Sequence, residues 1–401
     1  MSTFYFARPK LVEQMVTALS GENLFSDASN GLFLAAPRRT GKSTFLQNEL
    51  QPALVVAGKV VVYVDLWADK TRDPGALIAA AIGQELGHHL GLVARTARAA
   101  GVDQVNVAGA LRIDTSKIGK VDGLTLTEAL RELVARSGKP VALMIDEAQH
   151  ALTSEAGENA MTALKSARDQ LNRPGKAQLL LIMSGSDRDK LLRLVNSNAA
   201  PFFGSTISRL PELDEEFIAH VASMIEGAFP HLAPVDQGKL WQAFQLYAQR
   251  PQPFVAALGE LLNPLNAPAV GWEAQLVSHA TLKREQDEHA MESAYLALRP
   301  LEQAVLWRIL EQGERFRPYD ADALKFYREK TGLPVSPQKV QNAIEVLRSQ
   351  TPALIWKSAK GEYALDDTSM IKWFQARVAT DLWPPAGPSA PYDDLDTPQS
   401  Q

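Results

Sequence analysis

Ala36-Pro37-Arg38-Arg39-Thr40-Gly41-Lys42-Ser43-Thr44 follows an apolar run, Gly31-Leu32-Phe33-Leu34-Ala35, that reads as a short buried strand. Thr44 to Leu50 forms helix turns, and Pro52 lies just beyond. Strand, tight loop, Gly-Lys-Ser and helix is the layout of a phosphate-binding P-loop. Successive backbone N–H groups of such a loop face inward onto phosphate oxygens, and the helix start adds free N–H groups and a partial positive charge. In this layout Lys42 reaches the β- and γ-phosphates, the Ser43 hydroxyl sits on Mg²⁺, and Gly41 admits the backbone where a Cβ would obstruct it. One position departs from the pattern: Ala36 stands where the first Gly is usual, and Ala disfavours positive φ.

Outward from this stretch, the strands alternate with helices. Lys59 to Leu66 is apolar up to Asp65, as expected of a strand covered on both faces. A helix is expected over 9–19, with Pro9 in its first turn and Leu11, Val12, Met15 and Leu19 as its stripe. Further helices are expected near 75–90, 126–137 and 159–171, and a weak hairpin over 104–113. Val141-Ala142-Leu143-Met144-Ile145 runs into Asp146-Glu147, the Walker B pattern: the Asp holds Mg²⁺ and the Glu polarises the attacking water. Asp-Glu after an apolar strand is a weak signal alone and a strong one when paired with the upstream Gly-Lys-Ser. Gln178 to Met183 is a further strand, ending in Ser184-Gly185-Ser186-Asp187. Ser184 either lies between the acidic pair and the γ-phosphate or caps the next helix, and Asp187 reads as a cap. The alternation argues a parallel sheet with helices on both faces.

From Glu212 the pattern is helical: about 214–227, 235–248, 253–262 and 272–296, a lid. Helices over 299–313, 320–331 and 336–349 precede two short strands, 353–357 and 362–365, with Lys360-Gly361 between them, and a closing helix over 370–377. Three helices and a hairpin spell a winged helix. The expected domains are therefore an ATPase core (1–211), a helical lid (212–297), a winged helix (298–378) and a disordered tail (379–401) rich in Pro, Ser, Asp and Gln.

The chain has 401 residues, 46% of them hydrophobic, a net charge of −5 and no Cys. Thiolate zinc sites and Cys nucleophiles are excluded, and the acidic balance argues against a general polyanion binder. The N-terminal residues lack the basic-then-apolar order of a signal peptide, and there is no run of 18 apolar residues. The expected address is the cytoplasm, without a membrane span.

Phe6-x-Arg8 before the first helix, Ala-Pro-Arg-Arg-Thr-Gly-Lys-Ser-Thr, Val141 to Glu147, the Ser184-Gly185-Ser186 strand end and Ala200-Pro201-Phe202-Phe203-Gly204 before a helical lid and winged helix together resemble the archaeal-type AAA+ ATPases. The resemblance lies in the branch near the origin-recognition ATPases and the STAND NTPases, and spans about residues 1–378. It implies ATP bound between core and lid, with Arg8 among the nucleotide contacts, Pro253 of Arg250-Pro251-Gln252-Pro253-Phe254 touching adenine and Arg250 in a sensor-2 place. It also implies side-by-side assembly, with an Arg of one subunit reaching the neighbour's γ-phosphate. Family members often carry Gly-Arg after the Pro-Phe-Phe-like segment; here Gly204 is followed by Ser205, and Arg209 is the nearest Arg. Arg38 and Arg39 either hold phosphate or a neighbouring subunit, or face solvent and acids.

Two classes of function remain at this point. One is an ATP-driven, oligomerising switch or remodeller docked on duplex DNA by the winged helix. The other is a regulatory ATPase whose winged helix holds a protein partner. A small-molecule kinase is disfavoured, since such kinases lack a separate lid and winged helix. Residues 298–378 hold 13 Lys+Arg and 10 Asp+Glu, a modest +3 in an acidic chain. In its third helix Gln338, Lys339, Gln341, Asn342 and Arg348 are the residues suited to DNA, with Lys357 and Lys360 by the wing.

Overall fold

The computed structural model of the chain describes residues 5–21, 28–69, 71–99, 125–173, 175–186, 188–196, 200–263, 265, 271–351, 353–359, 362–365 and 369–385. The 104–113 hairpin, Asp187, Lys360-Gly361 and residues 386–401 lie outside these. The chain divides into two compact units, residues 1–221 with 250–252, and residues 222–249 with 253–401.

The first unit is built on a five-stranded parallel sheet: β1 (Leu32–Ala35), β2 (Val60–Asp65), β3 (Val141–Asp146), β4 (Leu179–Gly185) and β5 (Ile207–Arg209), in the order β2-β3-β4-β1-β5. β1, β3 and β4 are buried along their whole length. Alternate residues serve two cores. Phe33, Leu143, Ile145 and Leu181 face one, and Leu34, Ala142, Met144 and Ile182 face the other, so helices cover both faces. β5 has no counterpart in the sequence reading. It is three residues long, polar at Ser208 and Arg209, and exists through pairing with Phe33–Ala35.

The helix after the P-loop does not stop before Pro52, as expected from the sequence, but continues from Lys42–Phe45 through a wider turn at Leu46–Leu50 into Gln51–Val56. The Gln51 N–H donates to the Leu46 carbonyl, five residues back. Pro52 cannot donate to the Asn48 carbonyl, and its ring crowds that oxygen in a regular helix; a wide turn before the proline relieves this. The Tyr5 hydroxyl donates to the Asn48 carbonyl at 3.3 Å.

In the second unit, Gln237–Leu246 and Trp272–Leu296 pack together, with Phe244 and Phe254 at 5.1 Å between ring centres. Trp272–Leu296 is buried near its start, at Trp272, Leu276 and Ala280, and near its end, at Tyr295. Residues 281–287 are exposed and self-paired, with Lys283–Asp287 at 2.7 Å and Arg284–Glu288 at 2.9 Å. Beyond it, Pro300–Gln312, Ala321–Thr331 and Pro337–Ser349, the antiparallel pair β6 (Ile355–Ala359) and β7 (Glu362–Leu365), and Ser369–Ala379 enclose a separate core. The chain stays ordered past 379, where the sequence suggested a tail. Trp383 packs on Phe374 (4.7 Å), Tyr295 (4.9 Å) and Trp307 (5.5 Å), enough aromatic surface to hold a short terminal segment.

Candidate nucleotide site

The C-terminal ends of β1, β3 and β4 bring the site together, since neighbouring parallel strands deliver their last residues to one edge of the sheet. Ala36 does not adopt positive φ; its N–H donates to the Gly185 carbonyl at 3.1 Å, so it prolongs β1, and the missing first Gly costs the turn nothing. The left-handed positions are Arg39 (φ 67°) and Gly41 (φ 86°). Thr40 Oγ1 closes the loop on the Pro37 carbonyl at 2.7 Å, Pro37, Arg38 and Arg39 are exposed, and Thr44 lies in the first helix turn.

Lys42 is buried, and its Nζ is bound to Asp146 Oδ1, with Glu147 Oε1 at 3.2 Å and Ser184 Oγ at 3.3 Å. Asp146 also accepts from Ser43 Oγ at 2.6 Å, from Ser184 Oγ and from the Tyr63 hydroxyl at 3.1 Å. Burial pushes the Asp146 and Glu147 carboxyls up, but the Lys42 charge and the converging hydrogen bonds outweigh it and hold both below their ordinary values. The same effects act on neighbours in reverse. Burial, followed by the Asp146 charge, raises the Tyr63 hydroxyl. Burial raises Asp65, against the Trp67 N–H that favours its charged form, with Asp146 and Glu147 adding to the rise.

Glu147 has a left-handed backbone, φ 54°, which is rare for such a residue and is found where surroundings over-determine it. Its Oε2 accepts from Gln149 Nε2 at 2.5 Å and Ser186 Oγ at 2.9 Å, leaving Oε1 toward Lys42. β4 passes so close that a Cβ on Gly185 would meet Gln149 Oε1 at 2.5 Å and Leu191 Cγ at 2.7 Å. Sequence reasoning missed Tyr63, Gln149 and Ser186 as site residues. A signal existed for two of them: Tyr63 is the lone hydroxyl in an aliphatic strand, and Gln149 is a buried amide two residues after the Glu.

Of the two readings left for Ser184, its hydroxyl faces Lys42 and Asp146 rather than a helix end. Arg209 is exposed at the end of β5, in register with Ala35. Arg8 stacks over Phe45 at 4.4 Å and pairs with Glu49 at 3.5 Å; its Nε and Nη1 are buried without a partner. Arg250 is half-buried, and within Arg250-Pro251-Gln252 it is Pro251 that approaches the loop, 3.9 Å from where a Gly41 Cβ would stand. Pro253 falls in the second unit.

Residues 27–192 match the family described as AAA domain. The chain carries an AAA domain. With Lys42, Asp146 and Glu147 assembled inside it, the protein is a P-loop ATPase. No curated protein matches the chain. Among solved structures, the ORC2 protein of Aeropyrum pernix in its ADP form is 15% identical, covers 95% of this chain and 97% of its own, and has a TM-score of 0.50, which places the AAA domain in the fold of origin-recognition-type AAA+ ATPases. A Walker-type ATPase of Pyrococcus abyssi (15% identity, 90% and 95% covered, TM-score 0.44) and the Aeropyrum pernix ORC1 protein in complex with DNA (15%, 93% and 92%, 0.42) also match. Among the described residues no helix is long and apolar enough to cross a membrane.

Proposed function

We propose that the protein binds and hydrolyses Mg-ATP and works in the cytoplasm, where ATP is abundant, as an oligomerising switch on duplex DNA. One observation carries this reading: a single buried ammonium, Lys42, bridging Asp146, Glu147 and Ser184 beneath a left-handed Gly41 turn. The donors suit the ligand. Ser43 Oγ and the Asp146 carboxylate are hard oxygen ligands of the kind Mg²⁺ takes, and Lys42, Ser43 and Thr44 open the first helix turn, whose free N–H groups favour phosphate. Bound Mg²⁺ would neutralise charge on the β- and γ-phosphates. Lys42 would exchange its carboxylates for phosphate oxygens. Glu147 would then accept the proton of the attacking water at Oε1, because Oε2 is held by Gln149 and Ser186. Ser184 would keep Asp146 oriented, and Arg209 at the sheet edge would serve a neighbouring subunit.

The three helices and hairpin of the second unit fit a winged helix, and the polar face of Pro337–Ser349 fits a duplex. A specific observation favours the second reading, a protein partner. Five polar side chains of that helix are already engaged with one another: Gln338–Asn342 at 3.2 Å, Gln341–Glu345 at 2.8 Å and Arg348–Glu345 at 2.7 Å, with the Tyr319 hydroxyl on Gln341. Imaging and ATPase assays with an ATP analogue, with and without duplex DNA, test the proposal. ATP-dependent assembly with DNA-stimulated turnover is the expected result, and a DNA-indifferent monomer would replace it with the partner reading.

A further inference from the structure

Trp67 stands beside the nucleotide site on the loop that leaves β2. Its backbone N–H donates to Asp65 Oδ1 at 2.8 Å, and the residue is about a third exposed (36%). The Arg38 guanidinium lies over the indole at 5.3 Å, and the His150 ring meets it at 4.3 Å with a 46° tilt. Arg38 belongs to the P-loop. His150 belongs to the turn that starts at Glu147, and its backbone N–H donates to the Glu147 carbonyl at 3.0 Å. One indole therefore touches both loops that carry the chemistry.

Each of these loops contains a left-handed residue that is not Gly: Arg39 (φ 67°), next to Arg38, and Glu147 (φ 54°), three before His150. Such backbones persist only where surrounding contacts fix them. Inside the P-loop the Thr40–Pro37 hydrogen bond does part of this. From outside, the cation–π contact of Arg38 and the ring contact of His150 meet on the same side chain.

We propose that Trp67 is a positioning residue: its ring holds the P-loop, through Arg38, in register with the turn that presents Glu147, through His150. It touches no reacting atom. The inference rests on the ATPase reading and adds to it a residue outside both nucleotide motifs.

The test is a double-mutant cycle on full-length protein, measuring ATP Kd and single-turnover rate for the parent, R38Q, W67L, the double variant, H150L and W67F, with K42A as control. R38Q is expected to raise Kd about fivefold in the parent and to have no further effect in W67L, since the contact is then already lost. H150L is expected to slow turnover about fivefold at unchanged Kd. W67F keeps a ring and is expected to stay within about twofold of the parent. Independent, multiplying effects of R38Q and W67L, or a W67L with parental Kd and rate, overturn the proposal. If W67L melts early, the cycle of R38Q against H150L read on the single-turnover rate decides instead, since either variant breaks the bridge between the loops and R38Q should then also slow turnover: rate losses that multiply overturn the proposal, and a double variant no slower than H150L supports it. A parent that binds no ATP removes the ATPase reading as well. A parent that binds, a K42A that does not and an indifferent W67L remove this inference alone.

Discussion

Ser43 Oγ donates to Asp146 Oδ2 at 2.6 Å, joining the first turn of the P-loop helix to the end of β3 across 103 residues of chain. The two oxygens proposed to hold Mg²⁺ are thus delivered by separate motifs to one point. Loss of either should be felt as loss of metal-dependent binding rather than as misfolding.

Lys42→Ala is expected to weaken ATP binding at least about 100-fold, because its ammonium is the buried charge that Asp146 and Glu147 converge on and that would meet the phosphates. Chelating Mg²⁺ in the parent should abolish turnover and weaken binding less. Calorimetric titration with and without chelator measures both, and equal affinity in Lys42→Ala and parent would remove the P-loop assignment.

Glu147→Gln is expected to keep ATP affinity within a few-fold and to slow hydrolysis by about 100-fold or more, since the amide keeps the shape and loses the base. Ser186→Ala, which frees one contact to Oε2, should give a smaller fall in kcat. Single-turnover kinetics report both; a Glu147→Gln protein turning over at the parental rate would move the base elsewhere.

Arg209→Ala is expected to leave ATP binding intact, because Arg209 is exposed at the sheet edge, and to lower kcat about tenfold or more by removing a charge supplied to a neighbour. Sedimentation with an ATP analogue gives the companion readout. A protein monomeric at micromolar concentration yet fully active would contradict this.

Glu345 neutralises Arg348 and occupies Gln341 on the proposed DNA face. Glu345→Gln should therefore tighten duplex binding by about threefold to tenfold at low salt, and Lys339→Glu should weaken it and flatten the salt slope. Anisotropy titrations across a salt series check this. Indifference of both variants would assign that face to a protein partner.

A chain ending at 382 lacks Trp383 from its aromatic nest and should be less stable than one ending at 385 by about 2 kcal/mol or more. Denaturant unfolding of the two truncated chains measures the difference.

The strands and the P-loop were legible because burial on both faces leaves uninterrupted apolar runs, and because Gly-Lys-Ser and Asp-Glu sit where such runs end. Trp272–Leu296 was readable to the residue, with Gly271 at its start. β5 was not, because three residues carry no periodicity and its register is imposed by β1. The helix through Pro52 was not, because a wide turn is a tertiary accommodation and the propensity rules end the helix there. The contacts of Gln149 and Ser186 to Glu147 were hidden for a related reason: the approach of β4 to the Glu147 turn depends on the bare backbone of Gly185.

Trp272–Leu296 has 25 residues, about 37 Å at 1.5 Å per residue, and its middle turns are supported by their own ion pairs rather than by neighbours. Within the second unit it is therefore a lever with a bearing at each end, Gln237–Leu246 at one and Ser369–Ala379 at the other. A tilt of about 10° at the first bearing would carry the second through about 6 Å, a little more than the rise of one helix turn, while the exposed middle of the arm moved through solvent.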